Sequence, residues 1–169
     1  MPRTPAQGIG FLLGFWLAFA LSPLLVKTAA GGETANLGSL EAQLHTEVNR
    51  IRGERHLIRL ERRSDLDRVA LAHSKDMARR GFFSHHSPEG ASPLNRLQDA
   101  GIDGMRLAAE NLGRTTDANP SLQVVEHWLS SPDHRRNLHA PAFNFTGIGI
   151  VRDADGALLY TQVYVSVPR

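Results

Sequence analysis

The sequence predicts an α+β domain, with helices packed on a small antiparallel sheet. Three observations carry this prediction. Apolar residues recur at helical spacing through most of the chain that follows the N-terminal segment. Ser92-Pro93, Asn119-Pro120 and Ser131-Pro132 each pair a capping residue with a proline suited to the first helical position. The period then changes near the end, where Phe145 to Arg152 and Leu158 to Val165 read as strands joined by the turn Asp153-Ala154-Asp155-Gly156.

The chain of 169 residues fits one domain, and 41% hydrophobic against 21% charged residues is the balance of a globule. Cysteine is absent, which excludes a disulfide framework, a thiolate metal site and a cysteine nucleophile together. Arg3 precedes an uncharged, mostly apolar run from Gly8 to Val26, and Thr28-Ala29-Ala30 supplies small residues before Gly31. Residues 1–30 therefore read as a signal peptide or an N-terminal membrane anchor, 31–36 as a linker and 37–169 as the domain. Either reading of 1–30 puts the domain outside the cytoplasm. It is then secreted, or anchored to the cytoplasmic membrane by residues 8–26.

Leu37, Leu40, Leu44, Val48 and Ile51 form the stripe of a first helix, with Ser39 as its N-cap and Gly53 near its end. Arg50, Arg52, Arg55, Arg59, Arg62 and Arg63 follow closely and read as a solvated face, or as contact with an anionic envelope surface. No aromatic residue accompanies them, so nucleic acid is not expected as a partner. Ser64-Asp65-Leu66-Asp67 resembles a capping box. A second stripe follows in Leu66, Val69, Ala70, His73 and Met77, closed by Gly81. His73 on that stripe reads as a hydrogen-bonded core histidine. The third helix turns Leu94, Leu97 and Ala100 inward, and the fourth turns in Leu122, Val125 and Leu129. A short strand is expected before Glu110.

The loop Phe82-Phe83-Ser84-His85-His86-Ser87-Pro88-Glu89-Gly90 gathers histidines, serines and a carboxylate beside two aromatics of the kind that are usually buried. Ala109-Glu110-Asn111 and Ser131-Pro132-Asp133-His134-Arg135 are the stretches expected to meet it in one cleft.

These motifs, with Trp128, Asn137, Gly147-Ile148-Gly149 and Tyr160-Thr161-Gln162-Val163, resemble the CAP superfamily, or SCP domain, in its bacterial, cysteine-free branch. The resemblance spans roughly Leu40 to Val165 and implies a three-layer α-β-α sandwich. It also implies a cleft tetrad of two His and two Glu in animal and plant members. His85 and Glu110 match half of it, while the other positions hold Ser131 and Leu159, and His134 brings a different histidine.

His85, His134 and Glu110 are the candidate metal ligands, for a divalent ion such as zinc, and the candidate catalytic residues. With Ser131, Tyr160 and Gln162 they are the expected ligand-binding set. Tyr160 and Gln162 share one face of the last strand, and Leu159, Thr161 and Val163 share the other. Three functions follow: an exported monomeric module binding a small ligand, lipid or peptide; a metal-dependent hydrolase or protease; or an envelope protein in which the histidines only hold loops together. The absence of His-Glu-x-x-His and Gly-x-Ser-x-Gly runs weighs against catalysis.

Overall fold

The computed structural model describes residues 30–168, so the apolar run and the signal-or-anchor reading fall outside the described residues. Helix α1 (Ala30–Glu54) buries Leu44, Val48 and Ile51, the expected stripe. Each such side chain contributes about 1.5–3 kcal/mol by leaving water. The helix begins earlier than expected. Residues 31–36, read as a linker, lie within it, and the Ser39 hydroxyl donates to the Asn36 carbonyl instead of capping an end.

Strand β1 (Glu61–Arg62) leads into helix α2 (Ser64–Arg80), which buries Leu66, Val69, Ala70, His73 and Met77. Gly81 ends it at φ 68°, a left-handed conformation that suits glycine. The expected capping box does not form. Arg63 holds the cap position, and Asp67 turns instead to accept the Ile148 N–H at 2.8 Å. Helix α3 (Pro93–Asp99) has a capping box between Ser92 and Asn95. Of its expected inward residues only Leu97 is buried, since Leu94 is 47% exposed and Ala100 faces water.

Strand β2 (Leu107–Thr115) is nine residues long and contains Glu110, where a short strand ending before that residue was expected. Helix α4 (Pro120–Ser130) buries Val124, Val125 and Trp128, and Leu122 stays outside. Helix α5 (Pro132–His139) and the hairpin of β3 (Phe145–Arg152) and β4 (Leu158–Ser166) complete the chain.

The sheet order is β1-β3-β4-β2. The last three strands are antiparallel, as expected, while β1 lies parallel to β3 and makes the sheet mixed. One face, with Ile148, Ile150, Leu158, Tyr160 and Tyr164, packs on α1, α4 and α5. The other, with Leu112, Leu159, Val163 and Val165, packs on α2 and α3. The result is the three-layer α-β-α sandwich. Gly147 and Gly149 explain how α2 comes so close to β3. A Cβ on either would sit 2.1 or 2.2 Å from backbone atoms of Leu66 or Leu71.

The free edge of β2 is blunted by side chains. Trp128 Nε1–H donates to the Leu112 carbonyl at 2.7 Å, and Asn137 Nδ2–H to the Glu110 carbonyl at 3.3 Å. An open edge would offer these groups to another chain. Arg52 departs from the solvated face expected of the arginine run. It is fully buried and donates to the carbonyls of Ile58, Leu138, Ala140 and Phe143. Burial lowers its pKa, and the four carbonyls stand in for lost water.

Candidate functional site

The site wraps around the edge strand β2. Glu110 pairs with Val163 across the ladder and so points to the α2 side, where it is buried. Its Oε1 accepts His85 Nδ1–H at 2.9 Å, and its Oε2 accepts Arg96 Nη2–H at 2.7 Å. A carboxylate only accepts, so the His85 proton sits on Nδ1 and Nε2 faces outward from a side chain that is 44% exposed. Over the same edge, α5 brings His134, and the two imidazole centroids lie 6.4 Å apart. Asn111, the next residue of β2, points to the other face and donates to the His134 carbonyl at 3.1 Å. Asn137 Nδ2–H in turn donates to the Asn111 Oδ1 at 2.9 Å. Successive residues of one strand thus fix the two histidines from opposite sides of the sheet.

Arg96, which sequence reasoning missed, ties this arrangement together. Beyond Glu110, its Nη1 donates to the carbonyls of His85 and Ala91, both at 3.0 Å, and so fixes both ends of the histidine loop. His73 is buried beneath, its Nε2–H donating to the Ser84 carbonyl at 2.9 Å and lying 4.0 Å from Glu110. It is the hydrogen-bonded core histidine expected. Burial is the main cause that lowers its pKa, opposed by Glu110 and assisted by Arg96. Burial also lowers that of His134, with the neighbouring His85 adding to the effect. Phe82 is half-buried, but Phe83 is 49% exposed, so only one of the loop's aromatics is inward.

The other expected ligand-binding residues stand apart. Ser131 occupies the N-cap of α5, one turn before His134. Tyr160 and Gln162 do share a face, but it is the α1–α4 face, where both are fully buried. Tyr160 meets Ser121 at 3.2 Å, and Gln162 lies between Thr146 and Tyr164. Leu159 is a core residue beside Met77, Leu112 and Val151.

The metal reading does not fit this geometry. Both oxygens of Glu110 are engaged, one by a guanidinium, and two imidazoles alone are too few ligands for zinc. Among the described residues no group of three or more His, Asp or Glu is arranged to hold a metal ion. The two serines of the loop hold its backbone. Ser84 Oγ accepts the His86 N–H and Ser87 Oγ the Ala91 N–H. A groove of about 900 Å³ lies on the far side of the loop, lined in part by Ala72, His73, Arg96 and Val151, and not by His85 or His134. The imidazole pair is therefore a surface feature, backed by a buried acid.

Comparison with known proteins agrees with this architecture. The chain is 31% identical to an extracellular SCP-domain protein of Bacillus anthracis of known structure, with a TM-score of 0.67 over 76% of this chain and 41% of that one. An outer surface protein of Borrelia burgdorferi superposes with a TM-score of 0.70 at 20% identity, over 77% of this chain and 94% of that one, which shows the shared fold. Bacillus subtilis YlbC, described as a membrane protein, is 32% identical over 125 residues, 74% of this chain and 34% of its own length. Bacillus subtilis YkwD is 32% identical over 100 residues, 59% of this chain and 37% of its own length. This chain thus spans about a third of the length of these curated relatives. The model of the CAP, or cysteine-rich secretory protein, family matches residues 45–165, and the chain belongs to that family.

Proposed function

We propose that the protein is an extracytoplasmic CAP-domain binding module whose ligand site is the His85–His134 pair on the edge of β2. One observation carries this reading. Glu110 and Arg96 are both used up in orienting His85, which leaves its Nε2 presented beside a second imidazole. Such a pair offers hydrogen bonds of fixed direction, the small set of placed polar groups that a binding site needs. Because the groups are polar and lie on the surface, a peptide or small polar ligand suits them better than an acyl chain. The extracellular relative in Bacillus anthracis and the membrane relative in Bacillus subtilis support the placement outside the cytoplasm. No helix among the described residues is long and apolar enough to cross a membrane.

A hydrolase is the second reading, because a carboxylate-backed imidazole is what a general base requires. Fluorogenic short-peptide pools separate the two. Wild type and His85→Ala should release fluorophore at the same background rate. At least one pool should shift the ring resonances of His85 and His134 together. Release that falls to background in His85→Ala would make the protein a hydrolase, and pools that move neither ring would remove the peptide site.

A further inference from the structure

We infer that the turn Arg55–Arg59, together with Arg135 of α5, is a docking surface for an anionic phospholipid bilayer. The inference rests on the extracytoplasmic placement proposed above and is independent of the histidine pair.

Most of the arginine run is already occupied. Arg50 is paired with Glu47 and Glu54, Arg62 with Glu41 and Asp67, and Arg63 with Asp65. Arg52 is buried among carbonyls. Arg55 and Arg59 remain, both exposed and without an ion pair among the described residues. The fold adds a third cation from far along the chain. Arg135 is exposed, and among the described residues its side chain donates to the Leu129 carbonyl at 3.0 Å and to no carboxylate. Burial is the main cause that lowers the pKa of His139, at the end of α5, and Arg55, Arg135 and Arg52 add to the effect, which brings the turn and α5 to one surface.

Between the two free arginines sits an apolar side chain that the backbone holds outward. His56 turns the chain with φ 58°, and the Leu57 N–H bonds back to the Arg52 carbonyl at 3.0 Å. Arg52 Nε–H grips the Ile58 carbonyl at 2.9 Å. With its backbone fixed, Ile58 is 44% exposed, while Leu60 two residues on is buried. An apolar tip flanked by cations matches the boundary of a bilayer, where acyl chains begin beneath anionic headgroups. A soluble anionic polymer would use the arginines and leave Ile58 without a purpose.

The absence of native cysteine permits a local test on the full chain. Ile58→Cys and, as a reference on α4, Leu122→Cys would each carry an environment-sensitive fluorophore. Vesicles of phosphatidylglycerol or of phosphatidylcholine would then be added at about 0.15 M salt, where surface charge acts over about 8 Å. A local label reads the turn even if residues 8–26 also enter the bilayer. The label at 58 should shift to the blue on phosphatidylglycerol alone, and the label at 122 on neither. Arg55→Glu/Arg59→Glu should abolish the shift, and Arg135→Glu should weaken it. Equal shifts on both lipids, equal shifts of both labels, or the same shift with soluble polyphosphate would each overturn the proposal. Failure here leaves the peptide test of His85 and His134 untouched.

Discussion

Arg96, partly buried, and Glu110, fully buried, form an ion pair at 2.7 Å, and the histidine loop hangs from it. The guanidinium holds the loop backbone while the carboxylate holds the His85 ring. Removing one partner of such a pair strands the other charge, which costs about 3–5 kcal/mol. Urea denaturation of Glu110→Gln and of Arg96→Met should show losses of this order. The double variant should lose less than the two losses added, because neither charge is then stranded. Simple additivity would mean that the residues act separately.

Gly147→Ala and Gly149→Ala should each cost about 3 kcal/mol or more, because the new Cβ overlaps the α2 backbone and not a side chain that can swing away. Gly53→Ala is the control. Its Cβ meets nothing within 4 Å inside α1, so it should stabilise by about 0.5–1 kcal/mol. Melting curves that rank the three otherwise would contradict the close packing of α2 on β3.

Arg52→Met should be among the most damaging changes in the chain, at about 3 kcal/mol. It removes the donors to four carbonyls, three of them beyond residue 137. Hydrogen exchange should rise around Leu138–Phe143 before it rises in the sheet. Uniform loss of protection would mean that Arg52 does not tie that segment down.

Stability should fall as the solution is acidified. His73 and His134 have pKa values below the ordinary 6.5, so over this range the unfolded chain binds more protons than the folded one. Their contribution is complete above about pH 6.5 and is lost as pH drops toward the folded values. The melting temperature should therefore decline from pH 7.5 to 5, and His73→Gln should flatten the decline. An unchanged slope in that variant would assign the loss to other groups.

Much of this fold was legible in the chain. Leu44, Val48 and Ile51, and likewise Leu66, Val69 and Met77, span enough turns for helical spacing to identify the buried side. Short helices gave no such average, which is why Leu94 and Leu122 were placed inward and lie outside. Only the start of β2 was legible, because Ala108-Ala109-Glu110-Asn111 has little intrinsic preference for a strand, and nine pairings with β4 carry it through Glu110 to Thr115. His85, Glu110 and His134 could be named from motif order. Arg96 could not, since an arginine in a short helix looks like a surface residue until its partner 14 positions later is known. Arg52 was hidden in the same way among its solvated neighbours.

The central claim is that Glu110 fixes the ring of His85 and turns Nε2 outward beside His134. The most direct measurement is a long-range ¹H–¹⁵N spectrum of the imidazoles in the full chain at pH 8.5, where histidines are neutral. The predicted result is His85 in the Nδ1–H tautomer, with the His134 ring shifting in His85→Ala. A His85 proton on Nε2, or a His134 ring indifferent to His85, would contradict it.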